Sequence, residues 1–131
     1  MGRTALYNCR CATRISSWIS AAGLPPLVWK HLNAVKLSPE EERLASTLFP
    51  RLGIGERSCL AVAVVRGSML ATDDKPARHA AKQQGLQVIG TIGILRSCAK
   101  YGILSQSEAQ TVLEKMIAAG YYSPVLKLDF D

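Results

Sequence analysis

The sequence predicts an α/β fold, and three observations lead there. Two short apolar runs, Ser68-Met69-Leu70-Ala71-Thr72 and Leu86-Gln87-Val88-Ile89, read as strands. Helical patterns stand between them and after them, and strands that alternate with helices imply parallel pairing through right-handed crossovers. Glycines punctuate the alternation: Gly85 closes one helix and Gly90 opens the next.

From the N-terminus, residues 1–23 carry Ile15, Trp18, Ile19 and Ala22 at helical spacing, with Gly23 as a stop, and are expected to form a divergent N-terminal helix. Leu24-Pro25-Pro26 breaks the chain, and Leu27 to Leu32 offers a short strand. Ser38-Pro39-Glu40-Glu41 is a helix start, with Ser38 as N-cap, Pro39 in the first turn and Glu41 at the capping-box position. That helix is expected to end near Phe49, before Pro50. Gly53-Ile54-Gly55-Glu56 turns into a second helix, from about Glu56 to Val65, apolar enough on most faces to be buried. The Ser68–Thr72 strand is read as central. A helix from about Pro76 to Gln84 follows it, then the strand at Leu86–Ile89, and Gly90-Thr91-Ile92-Gly93 leads straight into another helix. The last helix starts at Ser105, with Glu108 three residues on, and ends at Gly120. Tyr121 to Asp131 is expected to be extended, limited by Pro124 to an edge or a loop.

A chain of 131 residues is the size of one domain, and 48% hydrophobic with 20% charged residues is a globular composition. No apolar run nears the roughly 20 residues that span a bilayer, and the first residues are not a secretory signal, so a cytoplasmic location is expected. Cys9, Cys11, Cys59 and Cys98 fit no zinc spacing, and the last two fall in apolar helical patterns as small hydrophobes. The net charge of +6 is uneven, because residues 1–39 hold Arg3, Arg10, Arg14, Lys30 and Lys36 and no acid. A basic surface of this kind attracts polyanions such as nucleic acid, and is equally consistent with a solvated face.

Chemistry points to Leu70-Ala71-Thr72-Asp73-Asp74-Lys75-Pro76-Ala77-Arg78. Adjacent carboxylates stand where a strand passes into a helix, and ligand sites of open α/β sheets gather at the carboxyl ends of strands. Glu56 offers a third carboxylate, and oxygen ligands suit Mg²⁺ or Mn²⁺. Each residue also has a structural use. Asp74 can cap the helix around Pro76, Asp73 can serve as a cap or a supporting partner, and Glu56 suits a helix N-terminus. Lys75 and Arg78 can meet phosphate or pair locally with the two aspartates. There is no P-loop, no dinucleotide fingerprint and no nucleophile elbow.

In order, Leu52-Gly53-Ile54-Gly55-Glu56-Arg57-Ser58-Cys59-Leu60-Ala61-Val62-Ala63, the Leu70–Arg78 run, Gly85-Leu86-Gln87-Val88-Ile89-Gly90-Thr91-Ile92-Gly93-Ile94-Leu95 and Ala99-Lys100-Tyr101-Gly102-Ile103-Leu104 cover residues 52–121. This succession resembles the PIN-domain superfamily of metal-dependent ribonucleases, in a prokaryotic branch related to VapC-type toxins of toxin–antitoxin systems. The resemblance implies one PIN-like domain over residues 1–131, a three-layer α/β/α arrangement with a short parallel sheet, incomplete at its N-terminus because the opening strand with its aspartate is lacking. It implies catalytic Glu56, Asp73 and Asp74, a divalent Mg²⁺ or Mn²⁺ held by Glu56 and Asp74, and RNA contacts from Lys75 and Arg78. With the first aspartate missing, the expected function is that of the endoribonuclease and toxin lineage with a degenerate or weak site. The alternative is a non-catalytic oligomerising or nucleic-acid-binding module. RNA, an antitoxin protein and a second copy in a homodimer are the expected partners, and no membrane is.

Overall fold

The computed structural model describes residues 6–8 and 33–131, with side chains from residue 35 onward. The helical spacing of Ile15 to Ala22, the strand at 27–32, the N-terminal cations other than Lys36, Cys9, Cys11 and His31 lie outside the described residues. Four strands and five helices are described: β1 (Leu6–Asn8), β2 (Asn33–Val35), α1 (Pro39–Thr47), α2 (Ile54–Arg66), β3 (Leu70–Ala71), α3 (Lys75–Gln83), β4 (Val88–Ile89), α4 (Thr91–Lys100) and α5 (Gln106–Ala118). The class is α/β, with short parallel pairing.

β1 corrects the expected N-terminal helix over its three residues. Leu6, Tyr7 and Asn8 pair in parallel with Asn33, Ala34 and Val35. The partner lies more than twenty residues away, and helical spacing within 15–22 carries no information about such a non-local ladder. β3 and β4 form the second two-stranded pair. The Leu70 N–H donates to the Gln87 carbonyl and the Thr72 N–H to that of Ile89, both at 2.9 Å, so the strands advance in the same sense. Each is shorter than the sequence suggests. Leu70 is buried while Ala71 is exposed, so β3 alternates its faces rather than running as a fully covered central strand.

The chain divides into two compact units, one of residues 1–70 and 74–88, the other of residues 71–73 and 89–131. In the first, α1 packs on α2. Phe49, Leu60, Leu70 and Ala81 form its core, with Leu44, Leu52, Cys59, Leu86 and Val88 packed around them. α1 begins as read: Ser38 Oγ accepts from the Glu41 N–H at 3.2 Å, and Glu41 Oε2 accepts from the Ser38 N–H at 2.8 Å. Glu41 is buried, and what makes that tolerable is a two-pronged guanidinium. Arg66 at the end of α2 donates from Nε to Oε1 at 2.6 Å and from Nη2 to Oε2 at 3.0 Å. α2 then stops at Gly67, whose left-handed backbone forms the C-cap.

In the second unit, Leu95 of α4, Ala109 and Leu113 of α5 and Leu128 of the C-terminal segment form the core. α5 has its own capping box, Ser105 with Glu108. That pairing holds the Glu108 carboxyl below the usual carboxylate range through the Ser105 backbone and hydroxyl hydrogen bonds. The C-terminal segment is a loop packed on the core through Leu128 and bonded to Gln110, whose Oε1 accepts from the Leu128 N–H at 2.8 Å and whose Nε2 donates to the Leu126 carbonyl at 3.1 Å. Gly93 answers a close approach, because a Cβ there would stand 2.8 Å from Ile89 Cγ1. The Gly-Thr-Ile-Gly run is thus a tight strand-to-helix turn.

Candidate functional site

The carboxylates singled out by the sequence fall in different units, Glu56 and Asp74 in the first and Asp73 in the second. Asp74 is the N-cap of α3. Its extended backbone (φ −65°, ψ 119°) sets the carboxylate over the first turn, where Oδ2 accepts from the Ala77 N–H at 2.8 Å. Pro76 in that turn is pre-shaped for the helix and has no N–H to orphan.

Glu56 is the third residue of α2 and is exposed. Its carboxylate folds back over Gly53, the N-cap residue, so closely that a Cβ built at Gly53 would fall on Glu56 Oε2. A larger residue at Gly53 would only turn that flexible, exposed carboxylate aside. A carboxylate at that end of the helix is stabilised by the amide dipoles.

Asp73 is the most engaged of the three. Its Oδ1 accepts from the Thr91 N–H at 2.9 Å, and its Oδ2 from the Thr91 hydroxyl at 2.5 Å and the Tyr121 hydroxyl at 3.2 Å. Gly90, the N-cap of α4, has no side chain to satisfy the first amide of that helix, and Asp73 does so from 18 residues upstream. Burial raises the Tyr121 phenol above its ordinary pKa. Hydrogen bonding to Thr91 opposes the rise, and the Asp73 charge adds to it. A phenol kept protonated is a lasting donor to the carboxylate.

Sequence reasoning found the three acids but not Thr91 or Tyr121 as their partners. Nothing local links Tyr121 to Asp73, 48 residues away. Among the described residues, no three acids, histidines or cysteines gather closely enough to hold a metal ion. Both Asp73 oxygens accept hydrogen bonds and one Asp74 oxygen is committed to its helix, whereas Glu56 is exposed.

Lys75 is the first residue of α3 and exposed, and Arg78 lies one turn on, half-buried. His79, which the sequence offers only as an ordinary surface or partly buried residue, and Lys82, which sequence reasoning passed over, extend this face. No described helix is long and apolar enough to cross a membrane.

No curated protein and no solved structure matches the chain. A family model described as a PIN domain matches residues 28–126, a span that contains α1 through α5 together with Glu56, Asp73, Asp74, Lys75 and Arg78. The match covers well over half of the chain, and the chain belongs to the PIN-domain family, a nuclease-like superfamily whose members generally use divalent metal ions.

Proposed function

We propose that this chain is a PIN-domain protein of the endoribonuclease and toxin lineage in which the acidic site is degenerate, leaving an RNA-binding protein with weak or no cleavage. The observation that carries this reading is the employment of the acids. Asp73 is held by Thr91 and Tyr121, and Asp74 caps α3. Two-ion phosphodiester hydrolysis needs enough free ligands to fix ions about 3.5–4 Å apart. Residues 1–39 add no carboxylate to the set.

The test compares cleavage of single-stranded RNA by the chain and by Asp74→Asn, each with Mn²⁺, with Mg²⁺ and with chelator. Asparagine caps a helix as well as aspartate does, so the substitution removes the charge and spares the fold. The expected result is RNA binding that persists in chelator, with the two proteins cleaving equally little. Brisk metal-dependent cleavage by the chain, abolished in Asp74→Asn, would show a working nuclease and overturn the degenerate reading.

A further inference from the structure

We infer that α3 is a phosphate-docking helix whose Lys75, Arg78, His79 and Lys82 face lies along the backbone of single-stranded RNA; the inference rests on the RNA-binding reading above and gives it a surface. Positions i, i+3, i+4 and i+7 share one side of a helix. Here they carry four basic side chains, while Ala77 and Ala81, 1% and 0% exposed, hold the opposite side to the core. Lys75, His79 and Lys82 are exposed, and α3 contains no acid. Among the described residues, none of these three is ion-paired. From Lys75 to Lys82 the helix rises about 10 Å, enough to span several phosphates of a stacked strand at about 3.4 Å each.

One further observation speaks against a protein or membrane partner, and another for an anionic ligand at Lys75. The exposed large apolar residues, among them Leu48, Met69, Tyr101, Ile103 and Tyr122, all lie off α3. A protein partner is usually anchored by buried aromatic or aliphatic side chains, and a membrane-surface helix by apolar insertion, and this face offers neither. Lys75 also stands in the first turn, at the positive end of the helix dipole, where a cation is disfavoured. Its placement works against helix stability, which fits a residue kept for a ligand rather than for the fold.

The test is fluorescence anisotropy of the full chain with a labelled single-stranded RNA in chelator, over a series of salt concentrations. The variants are Lys75→Gln, Lys82→Gln and their combination, with Lys100→Gln/Lys127→Gln as a control for exposed lysines outside α3. The double α3 variant is expected to bind several-fold more weakly, with its salt slope reduced by about 1.4, or about 0.7 per lost contact on a single strand. The control should bind as the unaltered chain does, and Lys75→Gln should melt no lower than it. Unchanged affinity and slope in the double α3 variant would overturn the docking helix and leave the RNA-binding reading standing. No RNA binding by the unaltered chain would remove both. Polyglutamate binding as tightly as RNA, with the same losses in the variants, would transfer the face to an acidic protein and overturn the assignment to RNA.

Discussion

One carboxylate does two jobs at the joint between α1 and α2. Glu41 closes the capping box of its own helix and receives the Arg66 fork from the next. The Arg66 hydrogen bonds hold the Glu41 carboxyl below its ordinary value of 4.5 against the opposing effect of burial, and the same contact raises Arg66. A carboxyl with a depressed folded-state pKa contributes stability above its unfolded value, and loses it as pH falls through the folded one. Stability is therefore expected to be level near neutrality and to drop in acid below about pH 4.5, with Glu108 adding to the same limb. Glu41→Gln keeps a side chain that serves a capping box but removes the charge. It should cost about 2 kcal/mol, less than the roughly 3–5 kcal/mol of a fully enclosed pair, because the Arg66 side chain is 36% exposed and water screens it. Urea denaturation at several pH values checks this: the variant should lose stability at pH 7 and show a shallower acid limb. An unchanged acid limb would mean that the ion pair is not what acid breaks.

At the scale of elements, the helices were legible in the sequence because their signals are local. Ser38 with Glu41 and Ser105 with Glu108 both form the capping boxes that their spacing announces, and Gly67 and Gly120 end helices with the positive φ that suits glycine. Strands were less legible. β1 depends on a partner more than twenty residues away, and β3 and β4 are only two residues long each, so their extent is set by pairing rather than by propensity. The acids were half-legible in the same way. Capping by Asp74 follows from its position before Lys75-Pro76, whereas the Thr91 and Tyr121 bonds to Asp73 arise only from tertiary structure. Gly93 shows how close one such packing is. Gly93→Ala gains helix propensity, about 1 kcal/mol, but sets a methyl 2.8 Å from Ile89 Cγ1, a stem atom of a β-branched side chain that yields poorly. Overpacking of that kind costs about 1–3 kcal/mol, so a net loss of about 1 kcal/mol is expected in the urea midpoint. A gain in stability would mean that α4 can move away from β4 freely.

The described residues form two small cores threaded by one chain. Leu60 anchors the first and Leu113 the second, and both side chains are fully buried. Neither unit is a continuous stretch, for the chain leaves the first unit at Leu70, returns at Asp74 and leaves again after Val88. Three crossings mean that the end of β3, residues 71–73, is lodged in the second unit while the residues on both sides of it belong to the first. Asp73, tied to Thr91 and Tyr121, fixes that short stretch where it is. Loss of the second unit would free residues 71–73 and Ile89, and with them one end of the β3–β4 ladder, so the two cores are expected to unfold together. Leu60→Ala and Leu113→Ala should each cost about 3–5 kcal/mol, the usual range for a buried leucine reduced to alanine. If the cores are coupled, either substitution lowers one shared transition seen identically by far-UV circular dichroism and by calorimetry. Two transitions, with Leu113→Ala moving only one of them, would show instead that the second unit melts alone and that the threading of residues 71–73 does not bind the halves into one cooperative fold.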